Sequence, residues 1–380
     1  MNPHSDFNLL DESDEPLVTI AIPTYNGADH LEAALDTAFA QSYPRLDILV
    51  LDDCSTDATV SVAGRMASGR SDVRIVRRSR NVGLSSNFNG CLEHAAGSWV
   101  KFLLQDDMLD PSCVELMIQA RVAGCPLVVS GRRYEFHDSD SVRRAAYDKV
   151  LEASLARQAA VAGYVSPEQA AVRALAVFGT NIFGEPVATL VDKRTALFCG
   201  GFRRELRAIV DYEFYLRVAT QYGLVIVPTE LATFRVHSDQ ETARRAGSFD
   251  VTTLDLAQLA VLLASDPSYE RARVASELTP ADLVNQATRH VAHAWALAHH
   301  IGEPARMRWD EVLRPNPFTV DNVGSFDLAM ATLRLGAGRL ARRLGVDPTA
   351  VRLRIQRGKT ELHAIGNRWL QRLHRSLGVG

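Results

Sequence analysis

With 380 residues, 47% of them hydrophobic, and a formal charge of −3, the chain can build one large core and a smaller appendage. The near-balanced charge argues against a nucleic-acid partner. Its five cysteines, Cys54, Cys91, Cys113, Cys125 and Cys199, form no CxxC pair, which excludes a zinc ribbon and points to a reducing compartment.

No run approaches the ~20 apolar residues of a membrane span, and the acidic start MNPHSDFNLLDESDEP is unlike a signal peptide. A cytoplasmic location is the expectation, with residues 1–16 as a mobile tail. LVTIAIP (17–23) is a β-branched apolar run stopped by proline, a first buried strand. In the helix that follows, Leu31, Leu35 and Phe39 share one face. LDILVLDD (46–53) is a second strand ending in two acids, and STDATVSVAGRMA is a helix capped by Ser55 or Thr56. VRIVRR is a third strand, and NVGLSSNFNGCLEHAAG is a loop and helix closed by Gly97.

The stretch WVKFLLQDDMLDP (99–111) is a short apolar strand, broken only by Lys101, that ends in Asp106 and Asp107. A helix over 111–123 and the strand PLVVSGRRYEF come next. Strands alternating with helices of this length imply a mostly parallel sheet covered on both faces. Residues 138–162 are helical or irregular. Ser166, Pro167 and Gln169 then supply a cap, a first-turn proline and the capping-box partner of a new helix. VATLV (187–191) is a strand, VDYEFYLRVATQYG a helix closed by Gly223, and LVIVP and LATFRV two last strands. Beyond about 245 the composition turns to Ala, Leu, Arg and His at helical spacing. This predicts a domain over 17–245 and a helical region over 246–380.

In open α/β sheets, ligands bind outside the carboxyl ends of the strands. Three expected strand ends carry polar groups: Thr24, Tyr25 and Asn26; Asp52 and Asp53; Asp106 and Asp107. Alone, the last pair could be a solvated turn with Asp107 or Asp110 capping the next helix. The convergence of three such ends favours a site. The first strand is followed by PTYNGA rather than GxGxxG, and no GxxxxGK[ST] occurs, so neither a Rossmann dinucleotide site nor a P-loop is present. A phosphorylated ligand would then be neutralised by a hard divalent cation on the acids, Mg²⁺ or Mn²⁺, and by Arg80.

In order and spacing, IPTYNGADHLEAALDTAFAQSYP, LVLDDCSTDAT, RNVGLSSNFN, KFLLQDDMLDP and VDYEFYLR resemble the inverting family 2 glycosyltransferases with the GT-A fold, over about residues 17–240. The resemblance implies a mostly parallel sheet flanked by helices, a nucleotide-sugar donor (a UDP-sugar first), an acceptor hydroxyl, and Mg²⁺ or Mn²⁺. It places the donor's base and ribose on Pro23, Thr24, Tyr25 and Asn26 with Asp52 or Asp53, and turns Arg80 to the base or the diphosphate. Asp106 and Asp107 would bind the metal and the ribose or donor sugar, and His237 would approach the metal. Asp211 aligns with the family's catalytic base, with Glu213 capping or pairing nearby. One departure stands out: relatives with Asp-x-Asp carry an acid where this chain has Leu104.

Asp211 has a purely structural alternative, since an acid at a helix start stabilises the N-terminus. Two rival functions remain. A sugar-nucleotide nucleotidyltransferase would carry a Gly-rich, arginine-bearing loop where this chain has PTYNGA. An inactive binding protein would have no need of Asp53, Asp106 and Asp211 together. Loops within 131–162 and 179–186 are expected to choose the sugar, the donor's base and the acceptor. His290, His293, His299 and His300 read as a solvated helical face. The basic, amphipathic stretch from 333 onward suits peripheral contact with an anionic membrane or a packed helix, and lacks a nucleic-acid motif.

Overall fold

The alternating pattern folds, in a computed structural model, into one nine-stranded sheet. Its strands are β1 (Val18–Thr24), β2 (Leu46–Asp52), β3 (Val73–Arg77), β4 (Trp99–Phe102), β5 (Met108–Leu109), β6 (Leu127–Phe136), β7 (Gly163–Val165), β8 (Thr189–Asp192) and β9 (Leu224–Val236). The helices are α1 (Ala28–Phe39), α2 (Thr59–Met66), α3 (Leu84–His94), α4 (Cys113–Gln119), α5 (Ser141–Ala153), α6 (Leu155–Gln158), α7 (Pro167–Ala176), α8 (Lys193–Phe198), α9 (Val210–Tyr222), α10 (Val251–Ser265) and α11 (Glu270–Ser276). The structure describes residues 13, 15–137, 141–159, 162–237, 240, 251–279 and 282–283. Most of the expected tail, the histidines from His290 to His300 and the basic C-terminal stretch lie outside them.

Strand order is β3-β2-β1-β4-β8-β6-β9-β5, with β7 on β9. The first four strands are parallel. β4 then meets β8 antiparallel, β8 meets β6 antiparallel, and β6 runs parallel to β9. The long ladders are the parallel ones, as the β-branched runs predict. The chain builds outward from β1 through β2 to β3, then returns to place β4 on the other side of β1. That reversal opens a crevice at the carboxyl ends of β1 and β4, where a doubly wound sheet binds its ligand.

Every residue of β1 is buried. Leu31 and Leu35 of α1 join Ile20, Ile22, Val50 and Val128 in one core cluster. Each such side chain contributes about 1.5–3 kcal/mol on burial. A second, aromatic cluster positions α9. Phe202 lies 4.9 Å from Phe88 of α3, 5.5 Å from Phe102 of β4 and 4.2 Å from Phe214 of α9, centroid to centroid. The N-terminus of α9 is thereby held against the same layer as β4.

Element boundaries differ from expectation in several places. LVIVP and LATFRV are one continuous β9, because a register slip opposite Gly131 accommodates Pro228, which has no N–H to donate. VATLV begins as a 3-10 turn (Pro186–Ala188) before β8 starts. The helix after Pro111 spans only Cys113–Gln119. The expected capping box forms: Ser166 Oγ accepts from Gln169 N–H, and the Gln169 side chain returns to Ser166 N–H.

Two compact units divide the chain, Met1–Ala243 with Asp266–Leu278, and Arg244–Ser265 with Thr279–Gly380. In the first, residues 266–278 rejoin the sheet unit through buried Tyr269, whose hydroxyl donates to Glu213 Oε1 at 2.6 Å. The second includes α10, where Leu259, Ala260 and Leu263 are buried. Among the described residues no helix is long and apolar enough to cross a membrane.

Candidate active site

The crevice between β1 and β4 is closed by a side chain that sequence reasoning passed over. Gln105 accepts from Tyr25 N–H at 2.9 Å and donates to Tyr25 C=O at 3.2 Å, tying the two strand ends together. Gly27 leaves room for this arrangement, since a Cβ there would displace the Gln105 amide. Pro23 and Thr24 are buried at the end of β1, and Tyr25 stands on the rim, 43% exposed. Asn26 turns the chain with a left-handed φ of 49°, and its Oδ1 accepts from Thr56 N–H at 2.8 Å.

The β2 acids are structural anchors. Asp52 is fully buried and accepts from the Ser55 hydroxyl, from Ser55 N–H at 3.0 Å and from Thr24 Oγ1 at 3.4 Å, beside Arg77. Asp53 accepts from Val82 and Gly83 N–H, each at 2.9 Å, clamping the loop before α3. Cys54 between Asp53 and Ser55 has a φ of 63°, a strained turn that sends these groups to different neighbours. Arg80 is exposed and lines a cavity beyond that clamp with Arg78 and Arg204.

At the end of β4 the two acids part company. The Asp106 side chain is 15% exposed, and its Oδ2 lies 3.3 Å from His237 Nε2. Asp107 turns inward, fully buried, where Oδ1 accepts from Arg235 N–H at 3.1 Å and Oδ2 has no partner. Burial first, then the Asp106 charge, drives the Asp107 carboxyl well above the usual range. Of the two acids only Asp106 is part-exposed, because the turn from Leu104 C=O to Asp107 N–H puts the second side chain beneath the surface.

Positive groups answer these acids. The Arg235 guanidinium donates to the Asp106 carbonyl, and Lys101, buried in β4, donates to the carbonyls of Val187 and Thr189. His237 is buried with Nδ1 unpartnered, its ring 4.2 Å from that of His30. Desolvation lowers the His30 pKa, with His237 and Arg235 adding to the effect. Among the described residues no cluster of three or more His, Cys, Asp or Glu is arranged to hold a cation alone. Asp106 and His237 offer a partial shell, one carboxylate and one imidazole. Mg²⁺ and Mn²⁺ tolerate such a shell when phosphate oxygens and water complete it.

Asp211 lies in the first turn of α9 but is not its N-cap, which is Ile209, without a side-chain bond. Its Oδ2 accepts from Asn181 Nδ2 at 3.2 Å. Asn181 Oδ1 in turn accepts from Phe183 and Gly184 N–H, which sets the loop before Glu185. Burial pushes the Asp211 carboxyl from 3.8 to about 7; nearby Glu185 adds to the rise, while the Tyr212 amide and Arg132 oppose it. A carboxyl tuned to neutrality in a pocket is suited to acid–base work.

Glu185 was missed by name, although its loop was singled out. It binds the buried Arg132 guanidinium and accepts from the Tyr134 hydroxyl at 2.8 Å. It raises the pKa of both Asp107 and Asp211, so it lies within electrostatic reach of both. The donor end and Asp211 thus share one charged neighbourhood. Glu213, by contrast, is fully buried between Arg217 Nε at 2.8 Å, Arg203 Nε at 2.9 Å and the Tyr269 hydroxyl, a packing role. In the sequence, the only sign of Arg132 and Tyr134 is two polar residues in step on the β6 run.

Residues 19–168 match the model of glycosyl transferase family 2. The uncharacterized protein MT1568 of Mycobacterium tuberculosis is 29% identical over 231 residues, covering 60% of this chain and 70% of that protein. The succinoglycan biosynthesis protein ExoO of Rhizobium meliloti is 33% identical over 143 residues, 37% of this chain but only 39% of its own length. In fold, a crystal structure of Staphylococcus aureus TarS in complex with UDP-GlcNAc superposes with a TM-score of 0.59 at 15% identity, over 90% of this chain and 92% of that one. Residues 19–168 are thus similar to glycosyl transferase family 2, and the chain has a GT-A fold like that of TarS.

Proposed function

We propose that the protein is an inverting glycosyltransferase that moves a sugar from a nucleotide-diphosphate-sugar to an acceptor hydroxyl. The observation that carries this reading is Asp211, a carboxyl tuned to about 7 and sharing Glu185 as an electrostatic neighbour with the acids at the end of β4. The donor's base and ribose rest on the rim formed by Thr24, Tyr25 and Asn26, with Asp53 holding the wall behind them. Asp106 and His237 would hold a divalent cation, which when bound supplies positive charge to the departing diphosphate. Asp211 takes the acceptor's proton as its oxygen bonds to the anomeric carbon. The bond from that carbon to the diphosphate breaks on the opposite face, so configuration inverts and no covalent enzyme intermediate forms.

A UDP-sugar is the first candidate donor, in keeping with the UDP-GlcNAc complex of TarS. A polysaccharide or other glycoconjugate acceptor is in keeping with the succinoglycan protein's name. The basic C-terminal stretch would bring the enzyme to an anionic membrane where such acceptors are anchored.

The test is to screen nucleotide-sugars by thermal shift with Mn²⁺, then to follow release on adding acceptors. Nucleoside diphosphate release supports transfer, and pyrophosphate release would instead indicate a nucleotidyltransferase. Binding without turnover over a broad acceptor set would favour a nucleotide-sugar binding protein.

A further inference from the structure

Beyond the Asp53 clamp lies a cavity of about 420 Å³ that the transfer reading does not use. Arg78, Arg80 and Arg204 line it, together with Val82, Ser86 and Glu93. Three guanidiniums face one carboxylate in a chain whose formal charge is −3. Arg80 and Arg204 are exposed and, among the described residues, make no hydrogen bond or ion pair. Arg78 is held by neutral partners only, with Nε to Asn87 Oδ1 at 3.2 Å and Nη2 to Ser86 C=O at 3.1 Å.

The walls are fixed. Ser85 Oγ donates to Leu206 C=O at 3.2 Å, while Asn89 Nδ2 donates to Phe202 C=O at 2.8 Å and Asn89 Oδ1 accepts from Phe202 N–H at 2.7 Å. These bonds tie α3 to the segment that carries Arg204. Gly90 leaves room for the Arg78 guanidinium, since a Cβ there would occupy the guanidinium's place. Unpaired arginines on a rigid wall are set for a multivalent oxyanion, and planar guanidinium forks match phosphate oxygens in pairs.

We propose that the Arg78–Arg80–Arg204 cavity is a phosphate-binding subsite for a second ligand, separate from the donor's diphosphate. Its direction argues for the separation. Val82 N–H is held by Asp53 and Arg78 N–H by the Asp52 carbonyl, so the cavity meets the donor wall along its Arg78–Val82 end. From there it follows α3 from Ser86 to Glu93, two turns or about 10 Å away from the strand ends. Glu93 closes the far end and limits how much negative charge the cavity accepts. The ligand is a phosphate ester: a monoester on a small molecule, or a diester within an acceptor chain or lipid carrier.

The test uses the full chain and compares it with the Arg78→Gln/Arg204→Gln double variant. Binding of inorganic phosphate, glycerol 3-phosphate and glycerophosphoglycerol is measured by calorimetry at constant ionic strength, beside UDP with Mn²⁺. Phosphate-ester affinity should fall about tenfold or more in the double variant, as loss of two charged hydrogen-bond donors implies, with UDP affinity unchanged. Glu93→Gln should raise phosphate affinity severalfold. A monoester preference identifies a small phosphorylated ligand, and a diester preference an acceptor chain or lipid. Equal phosphate binding by both proteins, or none by the unsubstituted chain, would overturn the subsite. A parallel fall in UDP affinity would overturn its separateness and return the arginines to the donor. The phosphate arm needs no transfer activity, so it fails independently of the glycosyltransferase reading.

Discussion

Replacing Asp211 by asparagine separates chemistry from stability, because the structure predicts opposite changes in the two. Burial raises this carboxyl from 3.8 to about 7. In that interval the folded chain binds a proton that the unfolded chain has released, so folding is penalised progressively as pH rises from about 4 to about 7. The full penalty is roughly 3 pH units at about 1.4 kcal/mol each, ~4 kcal/mol as an upper bound. The carboxyl is part-exposed, and residual hydration reduces this to the order of 1–2 kcal/mol. Asp211→Asn removes the titration. It should therefore unfold like the parent chain near pH 4 and be more stable by that amount at pH 8. Turnover should fall by about 10²–10⁴-fold, the usual worth of a positioned base, with donor affinity unchanged. Urea unfolding at the two pH values, beside turnover and UDP affinity, reads all three. A helix-stabilising role predicts the reverse, a loss of ~0.5–2 kcal/mol at pH 8 with chemistry retained. Either that stability loss or near-normal turnover would refute the assignment.

In the parent chain, kcat/KM should rise with pH and level off above about 7, following the Asp211 carboxylate. Glu185→Gln should move that acid limb to lower pH, because it removes the nearby negative charge and leaves Arg132 to favour the ionised base; an unmoved limb would remove Glu185 from the electrostatics of the site. Asp106→Asn should weaken UDP binding in Mn²⁺ by at least about tenfold and leave binding in EDTA unchanged, whereas equal affinity in both media for the parent chain would refute metal-assisted binding. Glu213→Gln leaves Arg203 and Arg217 short of a buried counter-charge and should cost on the order of 3–5 kcal/mol, read as a lowered Tm without a change in the pH profile. A chain ending near residue 314 should lose co-sedimentation with anionic liposomes at low salt, and a full chain that ignores such liposomes would refute the membrane reading.

The sequence by itself determined the layered plan, because periodicity and turn chemistry are local. The β-branched runs of β1, β2 and β4 could only be buried strands. Ser166 with Gln169 could be read as a capping box because its geometry spans a single helical turn. The polar strand ends were legible from order and spacing for the same reason, whereas Asp211 was singled out only by resemblance to the family's motif. What only the tertiary structure decided concerns partners far apart in the chain. Asp106 and Asp107 are adjacent in sequence, yet Arg235, more than a hundred residues away, takes one inward and leaves the other to His237. Asp52 and Asp53 were legible as acids at a strand end, but not the Ser55 and Val82–Gly83 groups that come within hydrogen-bonding reach and hold them. Glu185 gained its place only when β6 delivered Arg132 and Tyr134 to it. Charge and burial at these positions depend on what long-range pairing brings within a few ångströms, and no local pattern encodes that.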